Sequence, residues 1–593
     1  MAGKDKSNGF LAALRSGIRP YRGQVAFGLS AVVICAALEV TGPMLLKSGV
    51  DSLRAGSPIA WLYGFSGLIV TVAAISGVFR FFMRKVLIGA SRLVESDIRE
   101  GFFRHLLNLS PSFFDLHHTG DLMARSTEDV ERLRMVLGPA LMQSTNTLLT
   151  LGFSSVMMFY LDVKLALLVL LLAPLIGGLV LAIARYLHRA NLRQQEVYGE
   201  LTTMVQENIS GIRVVKAFVR EDSEAARFRE LSLRYFRRSL TVARLDALFM
   251  PTLSLIVGLG VVGIVWIGGR QAALGQISLG SFIAFMSYLS LMTWPMMALG
   301  WTTHLYQRGK ASYHRLQQIQ ELPEQFSVEP SQVIANDAAP KVQAPEISFC
   351  NIRFRYREEG AWVFDDLNLK LPAGSTVAVV GRTGSGKSTL VRLLARLYQP
   401  QSGVILLDGD PWDGLPVEQL RKLIGYVDQT PFLYSATIRE NICFGLDSPN
   451  ESAMVAAART ACFDQDVEGF PERYETRIGE RGVTLSGGQQ QRLSLARALV
   501  MDTPMLILDD CLSAVDAKTE REILNRLKES LKGRTTLFVT HRLAAAERAD
   551  AVALIGSGRV EEFGSHAELM ALDGEYARMY RRQTLVEEIG EML

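Results

Sequence analysis

The first half of the chain contains long apolar runs, whereas the second half has only short ones. Each long run has about the 20 residues or more that an α-helix needs to cross a bilayer core of roughly 30 Å. Only the first run is interrupted by an ionisable residue, Glu39. The pattern predicts six membrane-spanning helices, at 25–46, 55–79, 135–161, 165–184, 247–269 and 271–303.

The connections between these runs are of two kinds. Those at 80–134 and 185–246 are long, keep a heptad-like apolar spacing and hold more Lys and Arg than the short ones. They are predicted to be membrane helices that continue into the cytosol, and their positive charge places both termini on the cytoplasmic side. Residues 1–24 combine basic and apolar positions at helical spacing, which predicts an amphipathic helix on the inner membrane surface.

The second half has a different pattern. Residues 346–593 alternate strand-like and helical runs, which is typical of an α/β domain with helices around a mostly parallel sheet. Residues 321–345 contain several prolines, few aromatics and no sustained periodicity, which predicts a linker. The predicted fold is therefore an all-α six-helix transmembrane domain at 25–320 with long cytosolic extensions, followed by an α/β domain.

Residues 381–388, GRTGSGKS, match the pattern GxxxxGK[ST] at every fixed position. A β-branched run (376–380) precedes them and a helical pattern (389–398) follows, so the glycines fall at a strand-to-helix turn, as in a P-loop. Loop N–H groups and the helix N-terminus attract nucleotide phosphates, Lys387 adds a positive charge, and Ser388 offers a hydroxyl to Mg²⁺. The predicted nucleotide-binding residues here are Gly381, Thr383, Gly384, Ser385, Gly386, Lys387, Ser388 and Thr389.

Two further motifs lie downstream. The run MLILD at 505–509 is an apolar strand that ends in a carboxylate, and P-loop NTPases direct such a carboxylate at Mg²⁺, which predicts this role for Asp509. The run LSGGQ at 485–489 places a serine and two glycines at a helix start, which makes a second anion-binding turn. A single chain thus has two anion-binding turns, the P-loop and LSGGQ, for one nucleotide. This favours a composite site in which each nucleotide contacts the P-loop of one chain and the LSGGQ turn of another.

Two segments interrupt the cytosolic extensions. Residues 113–125 and 208–218 each hold a glycine and small polar residues, which suits a tight reversal with a short exposed helix. We interpret them as elements that transmit force between a nucleotide-binding domain and the membrane helices, with ordinary hairpin loops as the alternative. Glu39 is a candidate for the substrate path, with a structural pair or a snorkelling position as the alternatives.

Composition narrows the class of protein further. The chain is 49 % hydrophobic, which suits a protein that is half membrane-embedded and half soluble. Its net charge of +3 is nearly balanced, and we expect no nucleic-acid partner. Its five cysteines lack metal-ligand spacing, which favours reduced thiols. A soluble GTPase would carry a base-reading NKxD-like motif, and a DNA-repair ATPase would place a coiled coil where this chain has apolar spans. An ATP-gated channel or receptor remains an alternative.

The motif set resembles the nucleotide-binding domain of ABC transporters. It comprises the P-loop, LSGGQ and MLILD together with Tyr356, Gln429, the SAVD run at 513–516 and His541. Fused after six predicted spans, the whole chain resembles a half-size ABC exporter of the multidrug and lipid-flippase type. Residues 113–125 resemble that family's first coupling segment, and residues 475–482 (ETRIGERG) resemble the loop before LSGGQ that communicates with coupling helices.

The resemblance implies a role for each nucleotide-binding residue. Tyr356 would stack on adenine, and Lys387 with the loop amides would hold the phosphates. Ser388 and Gln429 would contact Mg²⁺, and Asp509 would act on it directly or through water.

A second set of roles concerns the opposite chain. The γ-phosphate bound there would face Ser486, Gly487, Gly488 and Gln489. Asp516 would touch across the dimer, and His541 would sense the γ-phosphate.

Position 510 departs from the family pattern. The family usually has glutamate there to polarise the attacking water, whereas this chain has Asp510, which is one methylene shorter. A misplacement of about 1 Å can cost roughly 10²-fold in rate. Chains with two aspartates here resemble the DD-containing subunit of heterodimeric multidrug ABC exporters, whose partner brings the glutamate. We expect catalytic roles for Asp510, Gln429 and His541 and prefer a heterodimer over an Asp-tolerant homodimer.

The resemblance implies ATP-driven export of a hydrophobic or amphipathic substrate by alternating access, with ATP and Mg²⁺ as cofactors and a second ABC half-transporter as partner. It also implies a multi-pass protein of the bacterial inner membrane, surrounded by lipids. A homodimeric flippase for lipid or a lipopolysaccharide precursor is the main alternative.

Overall fold

The computed structural model describes residues 2–324, 344–479 and 484–592. The chain divides into two compact units. The first comprises Met1–Leu107 with Thr119–Leu322, and the second comprises Asn108–His118 with Pro323–Leu593. Most of the predicted linker at 321–345 lies outside the described residues, and the predicted domain limits stay predictions.

The N-terminal half is helical, as its apolar runs predict. One short helix, α4, belongs to the second unit, whereas the others build the first. The helices are α1 Ala2–Ile18, α2 Arg22–Arg54, α3 Ile59–Asn108, α4 Pro111–Leu116, α5 Thr119–Ala124, α6 Val130–Met135, α7 Leu141–Leu161, α8 Val163–Ser210, α9 Ile212–Ala217, α10 Glu221–Gly263, α11 Gly269–Ala273 and α12 Leu279–Gln320. Short π-helical turns join α5 to α6, α6 to α7 and α10 to α11.

Four helices are longer than a membrane requires. Helices α3, α8, α10 and α12 have 50, 48, 43 and 42 residues, which at 1.5 Å per residue gives about 60–75 Å, roughly twice the bilayer core. Within the described residues, four helical stretches are apolar enough to cross a membrane, at 9–54, 59–108, 221–273 and 279–320. The other two predicted spans fall on α7 and α8, where crossing stays a prediction.

The connection before α12 differs from the predicted start of the sixth span at residue 271. Arg270 interrupts the apolar run but lies inside α11, and the chain turns only at Gly275, whose φ is +72°. Ser278 then caps α12 through its side chain. The charge of Arg270 therefore placed the predicted break too early, because a single arginine does not end a helix.

Helix α1 is anchored by one aromatic residue. Phe10 is fully buried against the rings of Tyr306 and Tyr313 on α12, with both pairs of ring centroids 5.3 Å apart. The helix ends at Ile18, earlier than the predicted 24, because Pro20 follows in a 3₁₀ turn. Its position on a membrane surface stays a prediction.

The second unit contains two sheets. The strands are β1 Ile347–Phe354, β2 Phe364–Leu371, β3 Thr376–Val380, β4 Ser402–Leu407, β5 Asp410–Pro411, β6 Ile424–Val427, β7 Met505–Asp509, β8 Thr535–Val539, β9 Ala551–Gly556 and β10 Arg559–Gly564. The core sheet has the order β10-β9-β3-β8-β7-β6 and is parallel except for β10. The sequence did not predict the second, antiparallel sheet, whose order is β2-β1-β4-β5.

Helices surround the core sheet. They are α13 Lys387–Leu394, α14 Val417–Lys422, α15 Ile438–Ile442, α16 Glu451–Thr460, α17 Asp464–Gly469, α18 Gly487–Leu499, α19 Ala517–Leu531, α20 Leu543–Ala546, α21 His566–Ala571 and α22 Glu575–Met592. Every residue of β7 and β8 is buried, which explains why these strands are continuous apolar runs instead of alternating ones.

The topology collects the predicted site residues at one edge of the core sheet. The P-loop follows β3, Gln429 follows β6, Asp509 ends β7, and His541 lies two residues beyond β8. The carboxyl ends of these parallel strands meet at the same edge, which is where open α/β sheets bind ligands.

Candidate functional site

The P-loop depends on two glycines that no other residue could replace. Gly386 precedes α13 with φ +99°, and a Cβ there would lie 2.8 Å from the ring of Phe364. Gly381 has φ +153°, and its Cβ would lie 2.3 Å from the carbonyl oxygen of Ile555. The chain therefore passes close to its neighbours in a conformation that exposes loop N–H groups to an anion.

Lys387 lies inside the loop that it is predicted to serve. Its Nζ donates hydrogen bonds to the carbonyl oxygens of Gly381 and Arg382, both at 2.9 Å. Burial lowers the pKa of Lys387, while the nearby carboxylates Asp510 and Asp509 act to raise it. The ammonium is thus a largely desolvated donor that a phosphate oxygen could recruit from the carbonyls.

Ser388 and Asp509 come together as the sequence predicts. The Ser388 hydroxyl donates to Asp509 Oδ1 at 3.2 Å. Asp509 Oδ2 is buried and has no hydrogen-bond partner among the described residues. Burial raises the pKa of Asp509 despite the bond from Ser388. A hydroxyl beside an unsatisfied buried carboxylate oxygen fits the hard oxygen ligands that Mg²⁺ prefers.

Asp510 is held in an unusual backbone conformation at the end of β7. Its φ is +46°, and its N–H donates to the carbonyl oxygen of Val539 at 2.9 Å. Aspartate tolerates this left-handed region better than most residues because its short polar side chain can bond locally. Asp510 also lines a small cavity that Glu520 and Arg542 share.

Tyr356 is placed to offer a ring to a base. Its hydroxyl pairs with Thr389 Oγ1 at 2.9 Å, which ties the ring to the helix that begins in the P-loop. Its edges meet Phe354 and Tyr398, with centroids 5.0 and 5.2 Å apart, while 42 % of the residue stays exposed. The arrangement leaves surface on the tyrosine for stacking.

The LSGGQ turn is a closed helix cap. Ser486 Oγ accepts from the Gln489 N–H at 3.3 Å, and Gln489 Oε1 accepts from the Ser486 N–H at 2.9 Å. Gln489 Nε2 also donates to Asp466 Oδ1 at 2.9 Å. Gln489, predicted to contact nucleotide, therefore serves the fold of its own chain here. A Cβ on Gly488 would lie 2.9 Å from the Ala514 carbonyl, so the turn packs on the loop at 513–516.

The remaining predicted residues lie at the surface. Gln429 and His541 are exposed, and the Gln429 N–H donates to Asp428 Oδ1 at 2.9 Å. Asp516 caps α19 by accepting from the Thr519 N–H at 3.0 Å, a bond that lowers its pKa. Of the segment 475–482, residues 480–482 lie outside the described part of the chain.

Comparison with known proteins gives this arrangement a family. A family model described as ABC transporter transmembrane region matches residues 25–296, and one described as ABC transporter matches residues 364–513. The probable multidrug resistance ABC transporter ATP-binding/permease protein YheI of Bacillus subtilis is 35 % identical, over 92 % of this chain and 93 % of that protein. The chain belongs to the ABC transporters.

The transporter has further relatives of two kinds. The multidrug resistance-like ATP-binding protein MdlA of Escherichia coli is 33 % identical, over 96 % of this chain and 95 % of that protein. The ATP-dependent lipid A-core flippase of Desulfotalea psychrophila is 32 % identical, over 95 % and 98 %. The structure of a bacterial Atm1-family ABC exporter with ATP bound has a TM-score of 0.79 and 27 % identity, covering 95 % of this chain and 98 % of that one.

These matches confirm the predicted half-size ABC exporter, in which a helical transmembrane domain and an α/β nucleotide-binding domain share one chain. The transporter is an integral membrane protein that binds nucleotide and couples ATPase activity to transport. ABC exporters of this kind function as dimers.

Glu39, the candidate for the substrate path, has charged and polar partners in the membrane half of the transporter. Its Oε1 forms an ion pair with Arg80 of α3 and accepts from the Cys35 thiol at 3.4 Å. In this structure Glu39 is therefore part of a structural ion pair, which was one of the alternatives to a role in the substrate path. Arg80 also lines a basic groove along α3, together with Arg84, Lys85 and Arg92.

The sequence pattern did not single out Tyr398, which contacts the interrupting segment at 113–125. Its hydroxyl donates a hydrogen bond to Asp115 on α4, and its ring meets Tyr356. Nothing in the sequence pairs residues that lie 283 positions apart. Only the fold brings them together.

Proposed function

We propose that this chain is one half of a dimeric exporter that uses ATP to move a hydrophobic or amphipathic substrate across the membrane by alternating access. The observation that carries the proposal is the position of the LSGGQ turn. Ser486 and Gly487 are exposed, and the turn packs through Gly487 and Gly488 on Ala514 of its own chain. The P-loop, Asp509 and His541 lie at the carboxyl ends of the core strands. A second chain would bring the two halves of each nucleotide site together.

Within each site we assign Mg²⁺ to Ser388, Gln429 and Asp509, and phosphates to Lys387 and the loop amides. The unsatisfied Asp509 Oδ2 supports the metal, which would neutralise charge on the phosphates. Tyr356 would hold adenine. His541 and the opposite chain's LSGGQ turn would engage the γ-phosphate.

We further propose that the site containing Asp510 is weakened and that the partner is a different half-transporter. The shorter carboxylate supports this, since catalysis is sensitive to about 1 Å of displacement. The chain's own LSGGQ turn can still complete the partner's site. The decisive experiment purifies the tagged chain with and without the product of a neighbouring reading frame and compares ATPase rates. Fast turnover by this chain alone would contradict the heterodimer.

The two interrupting segments fit the proposed transmission of force. Helix α4 clusters with the nucleotide-binding unit and is bonded by Tyr398 through Asp115. Helix α9, in contrast, contains no buried residue and exposes Ile212 and Val214. An exposed apolar face on a short helix suits contact with a second subunit.

Closure would be driven by nucleotide affinity. ATP can shift the transporter toward a closed dimer only as far as it binds that state more tightly than the open one. Closure would move α4 and α9 and re-open the membrane cavity outward, and hydrolysis would reset it. The proposed setting is the bacterial inner membrane with both termini in the cytoplasm.

A homodimeric lipid flippase is the second candidate, and the similarity to lipid A-core flippases favours it. An ATP-gated channel is the third. Inside-out vesicles that contain the purified transporter separate export from gating. ATP-dependent accumulation of a labelled amphipathic dye against its gradient supports export, because a channel only dissipates gradients. ATP-dependent movement of a fluorescent phospholipid between leaflets, without dye accumulation, would favour the flippase.

A further inference from the structure

Arg542 makes a set of contacts that none of the roles above uses. Its guanidinium pairs with the Glu520 carboxylate on α19. It also donates to two main-chain oxygens, those of Ser513 at 3.4 Å and Val515 at 3.2 Å. Because both carbonyls belong to the loop at 513–516, one side chain joins the loop after β8 to the loop after β7.

The 513–516 loop is held from its other side by Gln491 of α18. Gln491 Nε2 donates to Ser513 Oγ at 2.9 Å, and its Oε1 accepts from the Ala514 N–H at 2.8 Å. Helix α18 begins at the LSGGQ turn. The loop therefore lies between the turn that would face one nucleotide and the arginine that follows His541.

The groups around Arg542 fix the orientation of its side chain. Glu520 is only 7 % exposed, and a buried carboxylate requires a charged or hydrogen-bonding partner. The Arg542 N–H donates to Thr540 Oγ1 at 3.0 Å, which holds the backbone on both sides of His541. Asp510 lines the same small cavity as Glu520, Thr540 and Arg542.

We propose that Arg542 is a positioning residue for ATP hydrolysis. It fixes the 513–516 loop relative to His541. In this way it links the γ-phosphate at one nucleotide site to the loop that meets the second chain. The inference rests on the roles proposed for His541 and Asp516. Arginine suits the task because its planar fork offers five donors to one carboxylate and two carbonyls, whereas lysine is a point charge.

The test measures ATP hydrolysis and ATP binding by the full-length dimeric transporter in lipid nanodiscs. Arg542→Ala and Arg542→Lys should each lower kcat by roughly 10- to 100-fold. ATP affinity should stay at its wild-type value and the Hill coefficient for ATP should fall toward 1 in both variants. The Tm should fall in Arg542→Ala, which leaves the buried Glu520 carboxylate without this partner, and stay near the wild-type value in Arg542→Lys, which keeps the positive charge. The matched control is Arg526→Ala, since Arg526 also pairs with a carboxylate of α19 and its side chain is 31 % exposed against 33 % for Arg542. Arg526→Ala should retain the wild-type kcat.

Three results would overturn the proposal. They are a wild-type kcat and Hill coefficient in Arg542→Ala, full activity in Arg542→Lys, and a loss of kcat that is matched by Arg526→Ala. Failure of the proposed function looks different, because the wild type would then bind ATP without hydrolysing it, or His541→Ala would hydrolyse ATP at the wild-type rate.

Discussion

The hydroxyl of Ser388 donates a hydrogen bond to Asp509 across 3.2 Å. This contact joins the P-loop to the end of β7 and brings two predicted metal ligands together. It satisfies one oxygen of Asp509, whereas the other is buried and finds no hydrogen-bond partner in the part of the chain that the structure describes. A divalent cation at this place would satisfy that oxygen, so the metal should strengthen nucleotide binding through Asp509 in particular.

Asp509→Asn should therefore remove the Mg²⁺ dependence of ATP binding. The amide keeps the shape of the side chain but loses the charge that a hard cation requires. Titration of a fluorescent ATP analogue with Mg²⁺ and with EDTA measures the effect. Asp466→Asn, which changes a partly buried carboxylate beside the LSGGQ helix, is the control that should keep the Mg²⁺ dependence. An Asp509→Asn protein that still binds ATP more tightly with Mg²⁺ would contradict the assignment.

Asp510→Glu should raise ATP turnover by about tenfold or more, because the longer side chain brings the carboxylate nearer to the attacking water. The same change should cost about 1 kcal/mol of stability, since φ is +46° at this position and glutamate lacks the local bonding that helps aspartate there. Turnover and the Tm are measured together. Asp510→Asn, which tolerates the backbone but carries no charge, should lose residual turnover at constant Tm. No gain in Asp510→Glu would show that Asp510 is not the limiting element.

Tyr356→Ala should weaken binding of ATP and GTP alike by about 1–3 kcal/mol, or roughly 5- to 150-fold, because stacking of a base on an aromatic ring is tolerant of base identity. Tyr356→Phe keeps the ring and loses only the hydroxyl, with its bonds to Thr389 and Arg392, so its dissociation constants should stay close to the wild type. Competition binding with both nucleotides measures this. Equal affinity for ATP in Tyr356→Ala and the wild type would exclude Tyr356 as the base platform.

Tyr398→Phe should loosen the coupling of ATP hydrolysis to transport. The variant loses the hydrogen bond to Asp115 on α4 while keeping its ring against Tyr356. A loss of about 1 kcal/mol at this contact corresponds to roughly fivefold weaker docking of α4, so less substrate should be moved per ATP hydrolysed. The ratio is measured in vesicles by assaying dye accumulation and phosphate release in parallel.

The control for this prediction is Tyr580→Phe. Tyr580 also donates from its hydroxyl to a carboxylate, that of Glu547 at 2.7 Å, but the contact lies on the C-terminal helix α22. Its loss should leave the transport ratio unchanged. Equal ratios in Tyr398→Phe and the wild type would show that α4 is coupled through other contacts.

The sequence was sufficient wherever a structural feature depends on local pattern. The strand, the glycine turn and the helix around Lys387 follow one another directly, so their spacing alone predicted the P-loop. The carboxylate at the end of β7 was predicted in the same way, because a buried parallel strand is a continuous apolar run.

Contacts between distant residues could not be predicted. Phe10 lies against α12, and Tyr398 lies against α4, because of packing that no periodicity encodes. The antiparallel sheet was missed in part for a related reason, since it is assembled by the pairing of β1 with β4, which are separated in sequence by β2 and β3. The LSGGQ motif was identified from the sequence, but its pattern does not specify that Gln489 accepts a hydrogen bond from the Ser486 N–H and so caps the helix.

The cap at Ser486 uses the serine oxygen only as an acceptor, which leaves its O–H able to donate to a phosphate. A single subunit therefore carries this surface preorganised, and pairing orders no loop at that point. Little conformational entropy is lost on encounter. Nucleotide should then govern how long two subunits stay together much more than how fast they meet.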